Sequence, residues 1–463
     1  MKYRWALVAA ISGMVFALAV ACSSTAGLPD GGVLTDSGQD AAAADDAGDA
    51  GWDASPEADA GVADSGTVVD SGPADAAPDA AQDAGDAGVV VVDGGVDAST
   101  KVEYPPDKPG KYPVGYYKED LKYDSDRKRV VPFHVWYPAM APGAKTVNYL
   151  LTSIGLLPGG AYENVPAAKA DGPFPLILFS HGFKGIAFQS FKLVEYLASH
   201  GFVVVAPNHQ GNTLLDFGFT KEQEKQTVSN VTLLRPGDVG FAYKTAIEYN
   251  TTKGHILEGM INKDLVAMTG HSFGGFTSLI VSGAEADMDR AKAACAAGVA
   301  ADVMCPYVGY YAAGTMLKMD PKIPGLKAMV ALTPGGFNAI FADNLAKVMV
   351  PSLVMGGSED DTCPVAIETQ PIFDGLPAPK ILSIITGASH MSYTNVCSIP
   401  LVGSLMGDMC KATMTEDRAF EIINPIVTAY IRRHVLDEAA MDQYLDQAWI
   451  TKTFPEAGWI EIK

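Results

Sequence analysis

The sequence predicts an α/β fold: a mostly parallel central sheet with helices on both faces. Two observations predict it. Continuous apolar runs of strand length recur at Pro175–Ser180, Phe202–Ala206, Leu265–Thr269, Ala328–Leu332, Ser352–Met355 and Ile381–Ile385. Such runs suit strands buried on both faces of a parallel sheet. Segments of helical spacing alternate with them, which is the pattern of a sheet wrapped by crossover helices.

The elements justify themselves in order. Tyr104–Lys118, rich in Pro, Gly and Tyr, opens the folded part, and Val130–Tyr137 reads as a strand ending at Pro138. Pro175–Ser180 ends in His181-Gly182-Phe183. Phe191–Ser199 carries Leu193, Val194 and Leu197 on one helical face, and Gly201 stops it before the next strand. Pro236–Tyr249 reads as a helix. Leu265–Thr269 runs into a Gly-rich turn and then the helical pattern Phe276–Ser282. Gly283–Gly325 is long enough to form a small cap or flank. Thr415–Val435 reads as the closing helix, with Thr415 as its cap and Arg432 and Arg433 in its last turn, where cations suit the helix dipole.

The N-terminal hundred residues are of a different kind. Ser23–Thr100 holds sixteen Asp, one Glu and no Lys or Arg, in a background of Ala and Gly. It has too little apolar surface to offset chain entropy, so 22–100 is expected to be a disordered, self-repelling linker. This linker carries −17 of the net charge of −21, and Lys101–Lys463 carries only −6. The acidity is thus a property of the tether, and nothing in the chain suggests a nucleic-acid partner. Lys2 and Arg4 precede the apolar run Trp5–Ala21, so 1–21 reads as a signal peptide. Cys22 follows the small residues Ala19-Val20-Ala21 and resembles the lipidated cysteine of a bacterial lipoprotein signal. The expectation is an exported lipoprotein, at the outer membrane or cell surface and otherwise periplasmic or secreted, touching membrane only through that anchor and acting as a monomer.

Five further cysteines remain: Cys295, Cys305, Cys363, Cys397 and Cys410. None has CxxC or Cys/His metal spacing, so no structural zinc is expected. Cys295–Cys305 is plausible for the flank. Cys363–Cys397 competes with Cys397–Cys410, the shorter loop, and sequence does not decide between them.

The chemistry concentrates after two strands. Gly270-His271-Ser272-Phe273-Gly274 follows an apolar strand and precedes a helix, as a nucleophile elbow requires. The small residues let the backbone double back and lift the Ser272 oxygen clear of the sheet. An oxyanion hole needs two backbone N–H groups, expected from Phe273 and from Phe183 in the loop after Ser180. Of eight histidines only His390 and His434 follow Ser272. His390 lies in the loop after Ile381–Ile385, where a base belongs, whereas His434 ends the closing helix and is expected to be exposed. Glu359, Asp360 and Asp361 compete for the acid in the loop Gly356–Pro364. Phe183, Phe188, Phe273, Phe276 and Phe337 either line an acyl pocket or belong to the core.

With these residues placed, the chain from about Tyr112 to Val435 resembles the α/β-hydrolase fold esterases of the cutinase, polyester hydrolase and dienelactone hydrolase-like group, and the related platelet-activating factor acetylhydrolases. Phe179–Phe183, Leu197–Val203 and Gly270–Gly275 look like the acetylhydrolase segments. Ala331–Pro334, Gly356–Pro364 and Gly387–His390 look like the cutinases. The cutinase pattern implies Asp360 as the acid. The acetylhydrolases place the acid after the strand equivalent to Ala328–Leu332, where this chain has Thr333-Pro334-Gly335 and no carboxylate. The polyester-degrading cutinases carry Trp where this chain has Gly335. The resemblance implies a serine carboxylic-ester hydrolase with a Ser272–His390–Asp360 triad, no metal or organic cofactor, and a small ester, lipid or polyester as substrate. A phospholipid esterase and an inactive surface-binding lipoprotein are its rivals.

Overall fold

A computed structural model of the chain describes residues 102–149, 157–214, 216, 220–298, 305–335 and 338–463. The expected signal peptide 1–21, the lipidation site Cys22 and the linker 22–100 lie outside the described residues, as does Phe337.

The described residues form the α/β-hydrolase fold, with a mostly parallel central sheet and helices on both faces. Its strands are β1 (Val114–Glu119), β2 (Phe133–Pro138), β3 (Thr146–Asn148), β4 (Pro158–Glu163), β5 (Phe174–Ser180), β6 (Val203–Pro207), β7 (Ile261–His271), β8 (Leu326–Leu332), β9 (Ser352–Gly357), β10 (Lys380–Ile385) and β11 (Ala457–Ile462). They lie side by side in the order β11-β10-β9-β8-β7-β5-β6-β2-β1-β4-β3. The six strands from β10 to β6 are mutually parallel, and β11 and β2 flank them antiparallel.

The parallel strands are apolar throughout because both their faces are covered. On one face Ile177, Phe179, Val204, Val330 and Leu353 pack with the helices α1 (Phe191–Ser199) and α6 (Glu416–Val435). On the other, Leu176, Leu178, Val203, Val205, Met268, Met329 and Val354 pack in the layer of α2 (Lys221–Thr251) and α3 (Phe273–Val281). Two further helices, α4 (Met288–Ala296) and α5 (Thr369–Gly375), lie on this side.

β5 and β7 are neighbours, with Ser180 opposite Gly270, yet the chain leaves β5 towards β6 on one side and β7 towards β8 on the other. This reversal of strand order opens a crevice at the carboxyl ends of the strands, the place where α/β sheets bind ligands. The loops after β5 and β7 both start there.

Two expectations change. The helix expected over Pro236–Tyr249 begins at Lys221, fifteen residues earlier, and Pro236 lies inside it. Thr220 caps its start: Gln223 N–H donates to Thr220 Oγ1 at 3.2 Å, and Thr220 N–H donates to Gln223 Oε1 at 3.0 Å. The closing helix is as expected: it spans Glu416–Val435 with Pro425 inside it, and Arg418 N–H donates to Thr415 at its cap. His434 is half-buried rather than exposed, its ring 4.5 Å from that of Tyr430, and burial pushes its pKa down to about 4.

The flank 283–325 contains α4 and the disulfide Cys295–Cys305. It docks on α2, where the Ser229 hydroxyl donates to Tyr307 O at 2.9 Å. The second disulfide is Cys397–Cys410, which rules out the alternative Cys363–Cys397. Cys363 is buried.

Candidate active site

β7 ends at His271 and α3 begins at Phe273, so Ser272 alone makes the turn. Its φ of 58° and ψ of −117° are strained for any residue with a side chain. The surroundings enforce the strain. Ser272 N–H donates to Leu332 O at the end of β8 (2.9 Å), and its carbonyl accepts from Phe276 N–H at 3.1 Å. The close return also dictates the glycines: a Cβ on Gly274 would lie 1.8 Å from Ser180 O, and one on Gly270 would lie 2.4 Å from Gly274 O. Only hydrogen fits at either position.

His390 opens the turn after β10, and Asp360 lies in the loop after β9. His390 Nδ1 lies 2.8 Å from Asp360 Oδ2. The other carboxylate oxygen of Asp360 accepts from the N–H groups of Thr362 (3.0 Å) and Cys363 (2.7 Å). The ring hydrogen bond fixes Nδ1 as the donor and leaves Nε2 as the acceptor. Of the competing acids, Glu359 turns away and accepts from Thr413 N–H at 2.8 Å, while Asp361 is exposed.

Phe183 is half-buried, with its ring centroid 6.4 Å from that of Phe273 and 6.1 Å from that of Tyr307. Gly182 sits beside the strand–helix turn: a Cβ there would lie 3.4 Å from Ser272 Cβ. The Gly182 carbonyl is bound by His181 Nδ1–H at 2.8 Å and by Gly185 N–H at 3.1 Å. In a trans peptide the following N–H, that of Phe183, points the opposite way. Phe273 is the first residue of α3, where a backbone N–H has no intrahelical acceptor.

A side-chain bridge joins the three loops. Gly182 N–H donates to Gln189 Oε1 (3.1 Å), Gln189 Nε2 donates to His271 Nδ1 (2.9 Å), and His271 Nε2–H donates to the His390 carbonyl (2.9 Å). Burial and the neighbouring His390 hold the His271 pKa far below the usual histidine value, so it serves as a neutral strut. Sequence reasoning missed Gln189 and saw His271 only as a letter of the elbow. Neither carries a spacing signal, because their partners lie 82 and 119 residues away. Among the proposed pocket aromatics, Phe188 stacks on Tyr149 and Phe276 lies against Phe341, so both belong to the core. Among the described residues no cluster of ligating side chains could hold a metal, and no helix is long and apolar enough to cross a membrane.

The family profile described as Chlorophyllase matches residues 164–452, more than half of the chain. The chain belongs to the chlorophyllase family. The match includes Phe183, Ser272, Phe273, Asp360 and His390. Single relatives are more distant. Cutinase est2 of Thermobifida alba is 23% identical over 227 residues, covering 48% of this chain and 55% of that protein. The bis(hydroxyethyl) terephthalate hydrolase of Streptomyces coelicolor is 24% identical over 236 residues, 50% of this chain and 56% of that protein. Cutinase 1 of Thermobifida cellulosilytica is 23% identical over 233 residues, 48% of this chain and 63% of that protein. The chain thus spans little more than half the length of these relatives. The cutinase resemblance read from the motifs agrees with them, whereas the chlorophyllase family was not among the families the motifs suggested. This member of the chlorophyllase family therefore combines the hydrolase sheet with an ordered Asp–His pair and a strained serine at its switch point.

Proposed function

We propose that the chain is a serine carboxylic-ester hydrolase that works through an acyl-enzyme, with Ser272 as nucleophile, His390 as base and Asp360 as the acid. The observation that carries the reading is the 2.8 Å contact of His390 Nδ1 with Asp360 Oδ2, which leaves Nε2 as the acceptor for a hydroxyl proton. Ser272 Oγ attacks the ester carbonyl carbon while its proton passes to His390 Nε2. The carbonyl becomes a tetrahedral oxyanion that accepts from the N–H groups of Phe183 and Phe273. Collapse breaks the C–O bond, and His390 returns the proton to the departing alkoxide. Water then attacks the acyl-Ser272 ester by the same route and releases the acid. Asp360 keeps the imidazole in one tautomer and stabilises the imidazolium without taking the proton. Hydrolysis of p-nitrophenyl butyrate tests this reading. Ser272→Ala is expected to abolish turnover and covalent labelling by a fluorophosphonate probe. Unchanged turnover would sink the assignment, and a wild-type chain that neither turns over nor labels would favour a binding protein on a silent hydrolase fold.

The same proposal includes the setting. The chain is read as an exported lipoprotein, with 1–21 as signal peptide, Cys22 as the lipidated residue and 22–100 as an acidic tether that holds a monomeric catalytic domain off the membrane. One acyl-modified cysteine behind a long self-repelling linker gives reach without a membrane span. Cys22→Ser should move the protein from the membrane to the soluble fraction.

A further inference from the structure

Arg235 lies in the middle of α2, immediately before Pro236, and is completely buried. No carboxylate among the described residues pairs directly with it. Its guanidinium donates instead to four neutral acceptors: Nε to Thr277 Oγ1 (3.0 Å), Nη1 to Asn212 Oδ1 (3.1 Å), and Nη2 to Ser180 Oγ (3.1 Å) and to the His181 carbonyl. Asp238, one turn further along, is occupied by Arg127, Arg129 and His209. A buried cation held by neutral groups is costly, and it persists where the surrounding structure uses it.

Its contacts fall on both sides of the crevice. Arg235 holds the His181 carbonyl, two residues before Phe183, in the loop after β5. On the β7 side its guanidinium carbon sits 4.5 Å from the centroid of the Phe273 ring, within cation–π range. The Thr277 hydroxyl that accepts from Arg235 donates in turn to the Phe273 carbonyl at 2.8 Å. One planar fork therefore touches the loop of the first oxyanion donor and, through ring and hydroxyl, the residue of the second. Lysine lacks the rigid geometry to bridge all of these.

We infer that Arg235 is a positioning residue that clamps the two halves of the oxyanion hole to each other, and that its buried positive charge favours the oxyanion over the neutral ester. The inference rests on the ester-hydrolase reading above. Burial pushes the Arg235 pKa down to about 9, which leaves the group charged at neutral pH. A charge behind both donors acts on the transition state more than on bound substrate, so its loss falls on kcat rather than on KM.

The test uses the purified chain with p-nitrophenyl butyrate and a fluorophosphonate probe, alongside thermal melts. Arg235→Met is expected to lower kcat about a hundredfold, the order seen when one oxyanion donor is lost, with KM within about threefold of wild type. Probe labelling, in which the phosphoryl oxygen gains negative charge as Ser272 Oγ adds to phosphorus and fluoride leaves, should slow in parallel. Arg235→Lys should fall between the two. Should Arg235→Met fail to fold, Thr277→Val decides: it removes one hydroxyl at nearly constant volume and is expected to lower kcat about tenfold. A folded Thr277→Val protein with wild-type kcat, or a loss confined to KM in either variant, overturns the inference. A wild-type chain that neither turns over nor labels overturns the ester-hydrolase reading itself, and this inference with it.

Discussion

Two Ser–His–Asp groupings stand out among the described residues, one at the crevice and one sealed beneath it. At the crevice stand Ser272, His390 and Asp360. Beneath it, Ser180 Oγ lies 2.9 Å from His209 Nε2, and His209 Nδ1 lies 3.0 Å from Asp238 Oδ2. The residue types match, and in both groupings a ring Nδ1 faces an aspartate oxygen, but the surroundings differ. Ser180 is sealed from solvent and its oxygen accepts from Arg235, so its hydroxyl proton is committed to His209. Ser272 stands at a strained turn with a positive φ. Asp360 answers to His390 and two backbone N–H groups, whereas Asp238 also takes Arg127 at 2.7 Å and Arg129 at 3.3 Å. A relay of this composition is thus recognised by what its serine oxygen is free to do, and the buried copy serves as scaffold for the loop above it.

Amide substitution of the two acids separates these roles. Asp360→Asn should lower kcat about ten-thousandfold, because the imidazole loses the acceptor that fixes its tautomer, while the melting temperature changes little. Asp238→Asn should act on stability instead. It removes the countercharge of Arg129 and one of the two of Arg127, which keeps Asp124, so the loss is expected below the roughly 3–5 kcal/mol of a fully buried pair. Urea unfolding and steady-state kinetics on both variants check this. A stability loss from Asp360→Asn with normal kcat would reverse the two assignments.

Part of this comparison was legible in the sequence and part was not. The apolar runs that became β5 to β10 were plain because burial on both faces leaves few polar positions in them. The elbow and the order Ser272, Asp360, His390 were legible because a sharp strand–helix turn needs small residues at fixed spacing. The outer strands β1, β3, β4 and β11 were not, since short strands such as Pro158–Glu163 are rich in Gly and largely unburied. The first half of α2 was missed because Lys221–Ser229 is almost wholly polar, and Pro236 looked like a beginning. Arg235, Ser180, His209 and Asp238 have no shared motif, since only the folded sheet brings them together.

Protons distinguish the scaffold in a second way. Burial holds the pKa values of His181, His209 and His271 far below the usual histidine value. In the unfolded chain these residues take up protons once pH falls below about 6.5, and in the folded chain they do not. The unfolded state then binds more protons, so stability decreases with falling pH, by up to about 1.4 kcal/mol per pH unit for each histidine. Burial also pushes Asp238 up to about 6 against the pull of Arg129 and Arg127, so it takes up a proton in the folded state and offsets one of them. Melting temperatures at pH 7.5 and 5.5 should therefore fall on acidification. A flat profile would contradict the neutral burial of these rings.

The smallest effect concerns the wall of the crevice. Gly335 follows β8 at the place where the polyester-degrading cutinases carry Trp, and its N–H lies 3.4 Å from the Ser272 carbonyl. A Cβ on Gly335 would lie 2.5 Å from Cys363 Sγ, closer than such contacts occur. The buried Cys363 side chain, three residues beyond Asp360, thus fills the space a larger residue at 335 would need. Gly335→Ala should destabilise by about 1–2 kcal/mol through overpacking, and Cys363→Ala in the same chain should restore most of it. Additive losses in the double variant would show that Cys363 is not the obstacle. If the compensation holds, an aromatic residue at 335 requires Cys363 to give way first, and the wall beside Ser272 is set by a thiol in the acid loop rather than by an aromatic platform.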